Sequence, residues 1–570
     1  MKRESQQTKS PWSLALAALL LPLFVACTPS VEGPAPEPAA ITAAVEAAAE
    51  AVSAEALEEV IRALSSDDLQ GRGPASEGDR LAQTYIAEAF AAAGLSPGAA
   101  EGGWFQKFGV VSITATAPAT WSFAGPAGPL DFRWWDDYIA SSGVQEETAE
   151  IDAAEVVFVG YGIEAPEYEW DDFKDADLQG KVLLFLNNDP DWDPELFAGN
   201  LRLYYGRWTY KYEIAAAKGA AAAIIIHTTP SAGYPWQVVQ TSWTGPQFEL
   251  PAGDEARIQI ASWLTEEAAS RLVAAAGKDL PELVAAAQSR DFQPVPLGIS
   301  TSLKLSNTLD RVETGNVVGV LTGRDGDLAD EALVFTAHHD HLGVGKANDS
   351  GDEIYNGARD NAAGVAQIIG IARAFAAAPE APRRSVVFLA VGAEEQGLLG
   401  SQFYAENPTF PPGKIATNIN FDAPNIWGRT RDLPLVGLGK SDLDELAGRM
   451  AQRQGRKVVS ESDPTQGSFY RSDQFNFAKI GVPALYFDEG TDFVDEAAGL
   501  DEAALKEWNL THYHQPSDEM DESWNLAGAV EDAQVGFYCA WVVANQDGLP
   551  AWTPGDEFEA ARKEALAAVQ

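Results

Sequence analysis

The feature that most limits how this chain can fold is a series of short, largely apolar runs that alternate with helical stretches and end on polar residues. Residues 332–337, 385–391, 417–421 and 482–487 each read as a strand, and residues 362–378 read as a helix between the first two. A strand that is apolar on both faces belongs in a sheet covered on both sides. The pattern therefore predicts an α/β fold with a mostly parallel mixed sheet flanked by helices. Sites on such sheets sit at the carboxyl ends of the strands.

Upstream, residues 154–160, 180–186, 222–227 and 258–261 also read as strands, with helices over 215–221 and 265–276. Residues 133–296 are thus expected to be a separate α/β insertion. Residues 41–64 and 77–93 read as helices, with a turn at Gly71-Arg72-Gly73-Pro74 between them. The expected organisation is a signal segment over 1–26, a tether over 27–40, the main domain over 41–132 and 297–548, the insertion, and a C-terminal tail over 549–570. A chain of 570 residues has room for this.

The first segment has Lys2, Arg3 and Lys9 ahead of an apolar run over 12–26 that is too short to span a bilayer. It ends in Phe24-Val25-Ala26-Cys27, which resembles a bacterial lipobox. The expectation is export, lipidation at Cys27 and anchoring at the bacterial envelope, at the outer membrane or its periplasmic face. An ordinary secretory signal cut nearby is the alternative. Two cysteines exclude a disulfide framework, and Cys539, inside an apolar run, reads as an inert buried thiol. A net charge of −45 argues against nucleic acid and anionic lipid as partners, which leaves the lipid anchor as the expected contact with membrane.

Of six histidines, five fall in two clusters, His338/His339/His341 and His512/His514. The first cluster follows the strand at 332–337. His338 and Asp340 share a face there, so Asp340 is placed to orient the imidazole. Asp360 opens the next helix, where an N-cap is the plain alternative. Glu394 and Glu395 follow the strand at 385–391, and Asp422 follows the strand at 417–421. Adjacent carboxylates point in different directions, which suits one metal ligand and one general base. Together His338, Asp360, Glu395, Asp422 and His514 provide two imidazoles and three carboxylates. With one carboxylate shared, each of two metals has three protein ligands and an open position, as catalytic zinc requires.

The strings Ala-His-x-Asp-His-Leu-Gly, Asn-Gly-Ala-x-Asp-Asn-Ala, Glu-Glu-x-Gly-Leu-x-Gly-Ser and Tyr-His-x-Pro-x-Asp occur in the order found in the co-catalytic zinc exopeptidases. That family includes bacterial leucine aminopeptidases and glutamate carboxypeptidase, and the chain resembles it over 60–130 and 300–545. The resemblance implies two Zn²⁺ ions bridged by Asp360, with His338 and Asp422 completing one site and Glu395 and His514 the other. It implies Glu394 as general base, Asp340 behind the ligands, and peptides as substrates. The family commonly has Asp where this chain has Arg359. The insertion resembles a protease-associated domain, often a lid over such sites.

Tyr470 and Tyr513 are candidates for stabilising an oxyanion, and Arg471 belongs to a stretch resembling a substrate loop of the family. The aromatic stretch 204–212 is placed either in the substrate cleft or in packing between domains. There is no Gly-x-Ser-x-Gly elbow and no His-Glu-x-x-His motif. The stretch 482–490 lacks the arginines with which glutamate carboxypeptidase holds carboxylates and carries Asp488 and Glu489 instead. The expected activity is an aminopeptidase that releases N-terminal residues. A carboxypeptidase or dipeptidase on the same scaffold is the alternative, as is a non-catalytic binding protein. Arg359 and Arg471 stand against the aminopeptidase reading, because either can pair a carboxylate.

Overall fold

The computed structural model describes residues 41–569 apart from 127, 195, 200, 495–499 and 501. Cys27 and the signal and tether segments lie outside the described residues. No helix among the described residues is long and apolar enough to cross a membrane.

The strands that organise the molecule are β1 (Phe105–Thr116), β2 (Tyr138–Ser142), β3 (Thr148–Phe158), β4 (Val182–Leu186), β5 (Ala222–His227), β6 (Ile260–Thr265), β7 (Val295–Leu321), β8 (Ala332–His338), β9 (Ser385–Val391), β10 (Ile415–Asn420) and β11 (Ala484–Tyr486). They follow one another across a single sheet in the order β11-β10-β8-β9-β7-β3-β4-β5-β6-β2. Strands β9, β8, β10 and β11 pair in parallel, as do β3, β4, β5 and β6. Between these two groups runs β7, 27 residues long and antiparallel to β9 on one side and β3 on the other. It also pairs antiparallel with β1, from Ser306↔Thr116 to Val317↔Phe105.

Helices cover the main half on one face: α1 (Ala54–Leu64), α2 (Glu77–Ala92), α3 (Gly364–Ala377) and α4 (Ala527–Asn545) pack around Leu333, Phe335 and Phe388. Val334, Val387 and Leu389 point the other way, into a second layer with Tyr404 and Phe477. The mostly parallel, doubly covered sheet is therefore present. Cys539 is buried in α4, as its apolar run implies.

The insertion half has its own core, which reaches beyond the expected limits. Trp121, Phe123 and Phe132 on one side, and Ile299, Leu303 and Leu305 on the other, belong to it. Residue 296 falls inside β7, so the seam between the two parts lies within one strand. The aromatic stretch 204–212 enters a helix over Trp208–Ala217. Tyr204 packs against Phe475 of the main part with ring centroids 5.1 Å apart, while Tyr205 packs on Phe197 and Tyr210 inside the insertion. This stretch is interdomain and internal packing.

Candidate metal centre

The carboxyl ends of β8, β9 and β10 are adjacent in the sheet and bring three segments to one place. His338 is the last residue of β8, Glu394 and Glu395 follow β9, and Asp422 follows β10. Two buried asparagines of β10 hold this edge in register. Asn418 Nδ2 donates to the Thr336 hydroxyl at 3.0 Å, and that hydroxyl donates to Asn420 Oδ1 at 2.7 Å.

Asp360 comes from the irregular turn before α3. The regular helix starts at Gly364 rather than 362, after an irregular helical turn over Ala358–Ala363 in which Asn361 Oδ1 accepts from Gly364 N at 3.0 Å. Asp360 is therefore free of the capping role that was the plain alternative. A Cβ on Gly364 would lie 2.2 Å from Asn361 Oδ1 and 2.6 Å from the Phe421 carbonyl oxygen, so this close approach needs glycine. Gly357, at φ +52°, lets the turn pass the His341 ring, where a Cβ would come within 2.5 Å.

The five expected ligands meet. Asp360 Oδ1 is 3.1 Å from His338 Nε2, which is also 3.3 Å from Asp422 Oδ1. Asp360 Oδ2 is 3.2 Å from His514 Nε2, which is also 3.1 Å from Glu395 Oε2. Each oxygen of Asp360 thus faces a different imidazole, and each imidazole faces a second carboxylate. His514 Nε2 is buried without an aligned hydrogen bond, which fits a donor atom that a cation would complete. The donor set, imidazole nitrogen and carboxylate oxygen, suits zinc.

The electrostatics follow from this crowding. Burial works against a charged His514, but Asp360 and Glu395 outweigh it and push its pKa up to about 10. Burial and the Asp360 charge push Glu395 up, yet His341 and His514 bring it down to about 2. Glu394 is raised well above the usual carboxylate range, first by burial and then by the charges of Asp422 and Glu395, with His338 opposing.

Asp340 is fully buried but acts differently from expectation. The His338 Nδ1 contact, at 3.2 Å, is to the Asp340 main-chain oxygen. The Asp340 carboxylate instead accepts from Glu394 N at 3.0 Å and Glu395 N at 3.4 Å. A buried carboxylate needs donors, and the loop after β9 supplies them, so Asp340 fixes the backbone of the base and its neighbour. Tyr513 stacks on the His514 ring, centroids 3.9 Å apart, and faces Asp360, Glu395, Glu394 and Asp422. Tyr470 is turned away, because its hydroxyl donates to Glu557 Oε1 of the tail at 2.5 Å. Arg471 is exposed and follows Tyr470 into Ser472, whose hydroxyl donates to Asp422 Oδ2 at 2.6 Å. Arg359 is consumed internally: it donates to Glu489 at 2.7 Å and lies over the Trp427 ring.

Several supports are not evident from the sequence. His341 Nδ1 lies 2.7 Å from Glu395 Oε1, the oxygen that His514 leaves open. Arg72, read as part of a turn, is fully buried and donates to the carbonyls of Leu64, His339, Asn356 and Gly357. It ties the segment carrying His338 to the turn carrying Asp360. Asp518 accepts from Arg359 N and Asp360 N at 3.0 and 3.1 Å, holding that turn from the other side. A signal for His341 and Asp518 exists, since both stand in the strings shared with the zinc exopeptidases. Arg72 has no local signal, because its partners are far away in the chain.

Residues 316–538 match the model described as Peptidase family M28, and this stretch contains all five candidate ligands and Glu394. A probable zinc metalloprotease of Pyricularia oryzae is 41% identical over 95 residues, 17% of this chain and 18% of the relative. Leupeptin-inactivating enzyme 1 of Streptomyces exfoliatus is 28% identical over 220 residues, 36% of this chain and 46% of the relative. The chain thus matches less than half the length of either. Among solved structures, an aminopeptidase from Aneurinibacillus sp. strain AM-1 superposes with a TM-score of 0.48 at 19% identity, over 89% of this chain and 97% of that one. A zinc aminopeptidase from Bacillus subtilis gives 0.39 at 17% identity, over 89% and 99%.

Proposed function

From the match of residues 316–538 to peptidase family M28, we propose that this chain is a di-zinc aminopeptidase that removes N-terminal residues from peptides. The observation that carries the reading is Asp360, with one oxygen toward His338 and Asp422 and the other toward His514 and Glu395. Two three-residue sets that share one carboxylate are the arrangement a pair of metals needs. His338, Asp360 and Asp422 would hold one ion, and Asp360, Glu395 and His514 the other.

When bound, the metals supply an activated water and polarise the scissile carbonyl. The chain's own groups do the rest. Glu394, half-buried beside the ligands and fixed by Asp340 through its backbone, takes the proton of the attacking water and returns it to the leaving amine. Tyr513, at the open side of His514, is placed to donate to the developing oxyanion. Arg359 is paired with Glu489, so it is not free for a substrate carboxylate.

The test is hydrolysis of leucine anilide against its N-acetyl form, with and without chelator. Turnover of the free amine, loss of turnover on N-acetylation, and loss on chelation are expected. Release of C-terminal residues from N-blocked dipeptides would replace the reading with a carboxypeptidase. Bound zinc without turnover would leave a binding protein.

A further inference from the structure

We propose that Arg359, which stands where the family commonly has Asp, is a positioning residue for the second metal site: it fixes the segment that carries His514 against Asp360 and Glu395. The proposal rests on the di-zinc reading and names a residue on which one half of that centre depends.

Four of the five candidate ligands come from strand ends or from the turn before α3. His514 does not. It follows the helix Glu502–His512, and its side chain, 33% exposed, is the most open of the five. That helix is lightly attached. Leu505 is buried and Trp508 packs on the core, whereas Leu510 is 78% exposed. A ligand on such a segment is oriented by whatever ties the segment down.

Arg359 ties it at both ends. Its Nη1 donates to Asn509 Oδ1 at 3.0 Å, upstream of His514, and its main-chain N–H donates to Asp518 Oδ1 at 3.0 Å, downstream. The guanidinium also lies over the rings of Trp427 and Trp508, 4.7 and 5.4 Å from their centroids, and these two rings meet edge-on, 5.6 Å apart. Trp508 in turn stacks on His512 at the end of the helix, centroids 4.4 Å apart. The other N–H groups reach back to the sheet. Nε donates to the Pro424 carbonyl at 3.2 Å and Nη2 to the Ala423 carbonyl at 2.8 Å, directly after Asp422. One buried side chain thus spans the segments of His514 and Asp422, while its backbone continues into Asp360.

The task needs arginine. An aspartate has no N–H groups for the two carbonyls and would meet Glu489 with like charge, and a lysine gathers its donors on one nitrogen. Glu489, 2.7 Å from Nη2, neutralises the buried cation. The dependence is also one-sided. Asp422 is held independently, by β10 and by the Ser472 hydroxyl at 2.6 Å. The tie to Asp518 belongs to the backbone and survives substitution of the side chain. What the Arg359 side chain alone secures is the helix that leads into His514.

Dialysis of zinc-loaded protein against buffers of defined free zinc, followed by elemental analysis, tests this without turnover. Wild-type protein should hold two ions. Arg359→Met combined with Glu489→Gln, which removes both partners of the buried pair, should weaken one ion about 10- to 100-fold and leave the other at wild-type affinity. His514→Ala identifies that ion: it should weaken the same one, and adding the other two changes to it should have little further effect. Arg359→Lys should keep part of the affinity. Asn509→Ala, at a half-buried position, cuts the tie to the helix alone and should weaken the same ion about threefold. Equal weakening of both ions overturns the proposal. So does wild-type affinity for both in the double variant or, should that variant not fold, in Asn509→Ala. Wild-type protein that holds fewer than two ions overturns the di-zinc reading itself, and the assignment with it.

Discussion

Two stretches of the sheet are built alike. In the main part β10, β8 and β9, and in the insertion β4, β5 and β6, are parallel strands buried along almost their whole length. The two sets differ in the residues at and just beyond the strand ends. The main part continues into His338, Glu394, Glu395 and Asp422, whose side chains crowd against one another and the other ligands. The insertion continues into groups that are spent locally. Thr265 accepts from Ala268 N as a helix cap, His227 Nε2 meets the Tyr234 carbonyl at 3.1 Å, and Asp189 accepts from Leu203 N at 2.9 Å. Even the buried Lys211 is satisfied, donating to the carbonyls of Tyr161, Asn188 and Tyr205. A parallel sheet offers a strand-end site in both halves, and polar groups left to face each other turn one of the two ends into a centre.

The sharpest break of this comparison is at the pair after β9. Glu394→Gln should lower turnover about 10²- to 10⁴-fold with both metals kept, because proton transfer and ligation belong to different residues. Glu395→Gln should lose metal as well. Elemental analysis beside an anilide assay separates them, and a metal-free Glu394→Gln protein would collapse the distinction.

Next in size are the two buried cations. Arg72→Met strands four carbonyls and should cost about 3 kcal/mol or more, read as a fall in melting temperature, with weakened metal retention. Lys211→Met should cost a similar amount while zinc content stays at wild-type level. If Lys211→Met also stripped the metal, the halves would not be as separate as their chemistry suggests.

The smallest effect concerns Asp172 in the insertion. Burial raises its pKa from 3.8 to about 6. The folded state therefore binds this proton more tightly than the unfolded chain, and stability falls as pH rises from about 4 through 6. Asp172→Asn removes that dependence and should stabilise the protein by up to about 3 kcal/mol above pH 6, with no difference below pH 4. Melting curves at pH 4 and 7 check the sign, and equal shifts at both would contradict it.

Much of this is legible in the chain. Strands β5 and β9 have the limits that their apolar runs suggest, and the side chains of the five candidate ligands come together. The seam near residue 296 is hidden from the sequence because β7 runs on without a break, from residues 297–305, buried alternately in the insertion core, to residues 314–319, buried in succession in the main part. The start of α3 is later than the pattern implies, since the backbone leaves helical geometry at Asp360 and Asn361 and the turn over Ala358–Ala363 is irregular. Tyr470 reads as a site residue from its place beside Ser472, whereas Glu557, far along the chain, draws its hydroxyl away.

The pairing of β7 with β1 has a consequence for synthesis. Strand β1 ends at Thr116, and its partner Ser306 emerges after the whole insertion has been made. Closing so long a loop adds little to the free energy, about 0.6 kcal/mol per doubling of its length. Its effect is on timing: at about 5–20 residues per second, β1 waits on the order of ten to forty seconds for its neighbour. During that interval Phe108, Val110, Val111 and Ile113, all buried in the finished protein, lack the long strand they pair with. The insertion core too waits for Ile299, Leu303 and Leu305 of the same long strand, and the half that carries the candidate metal ligands, all of which follow it in the chain, is completed last.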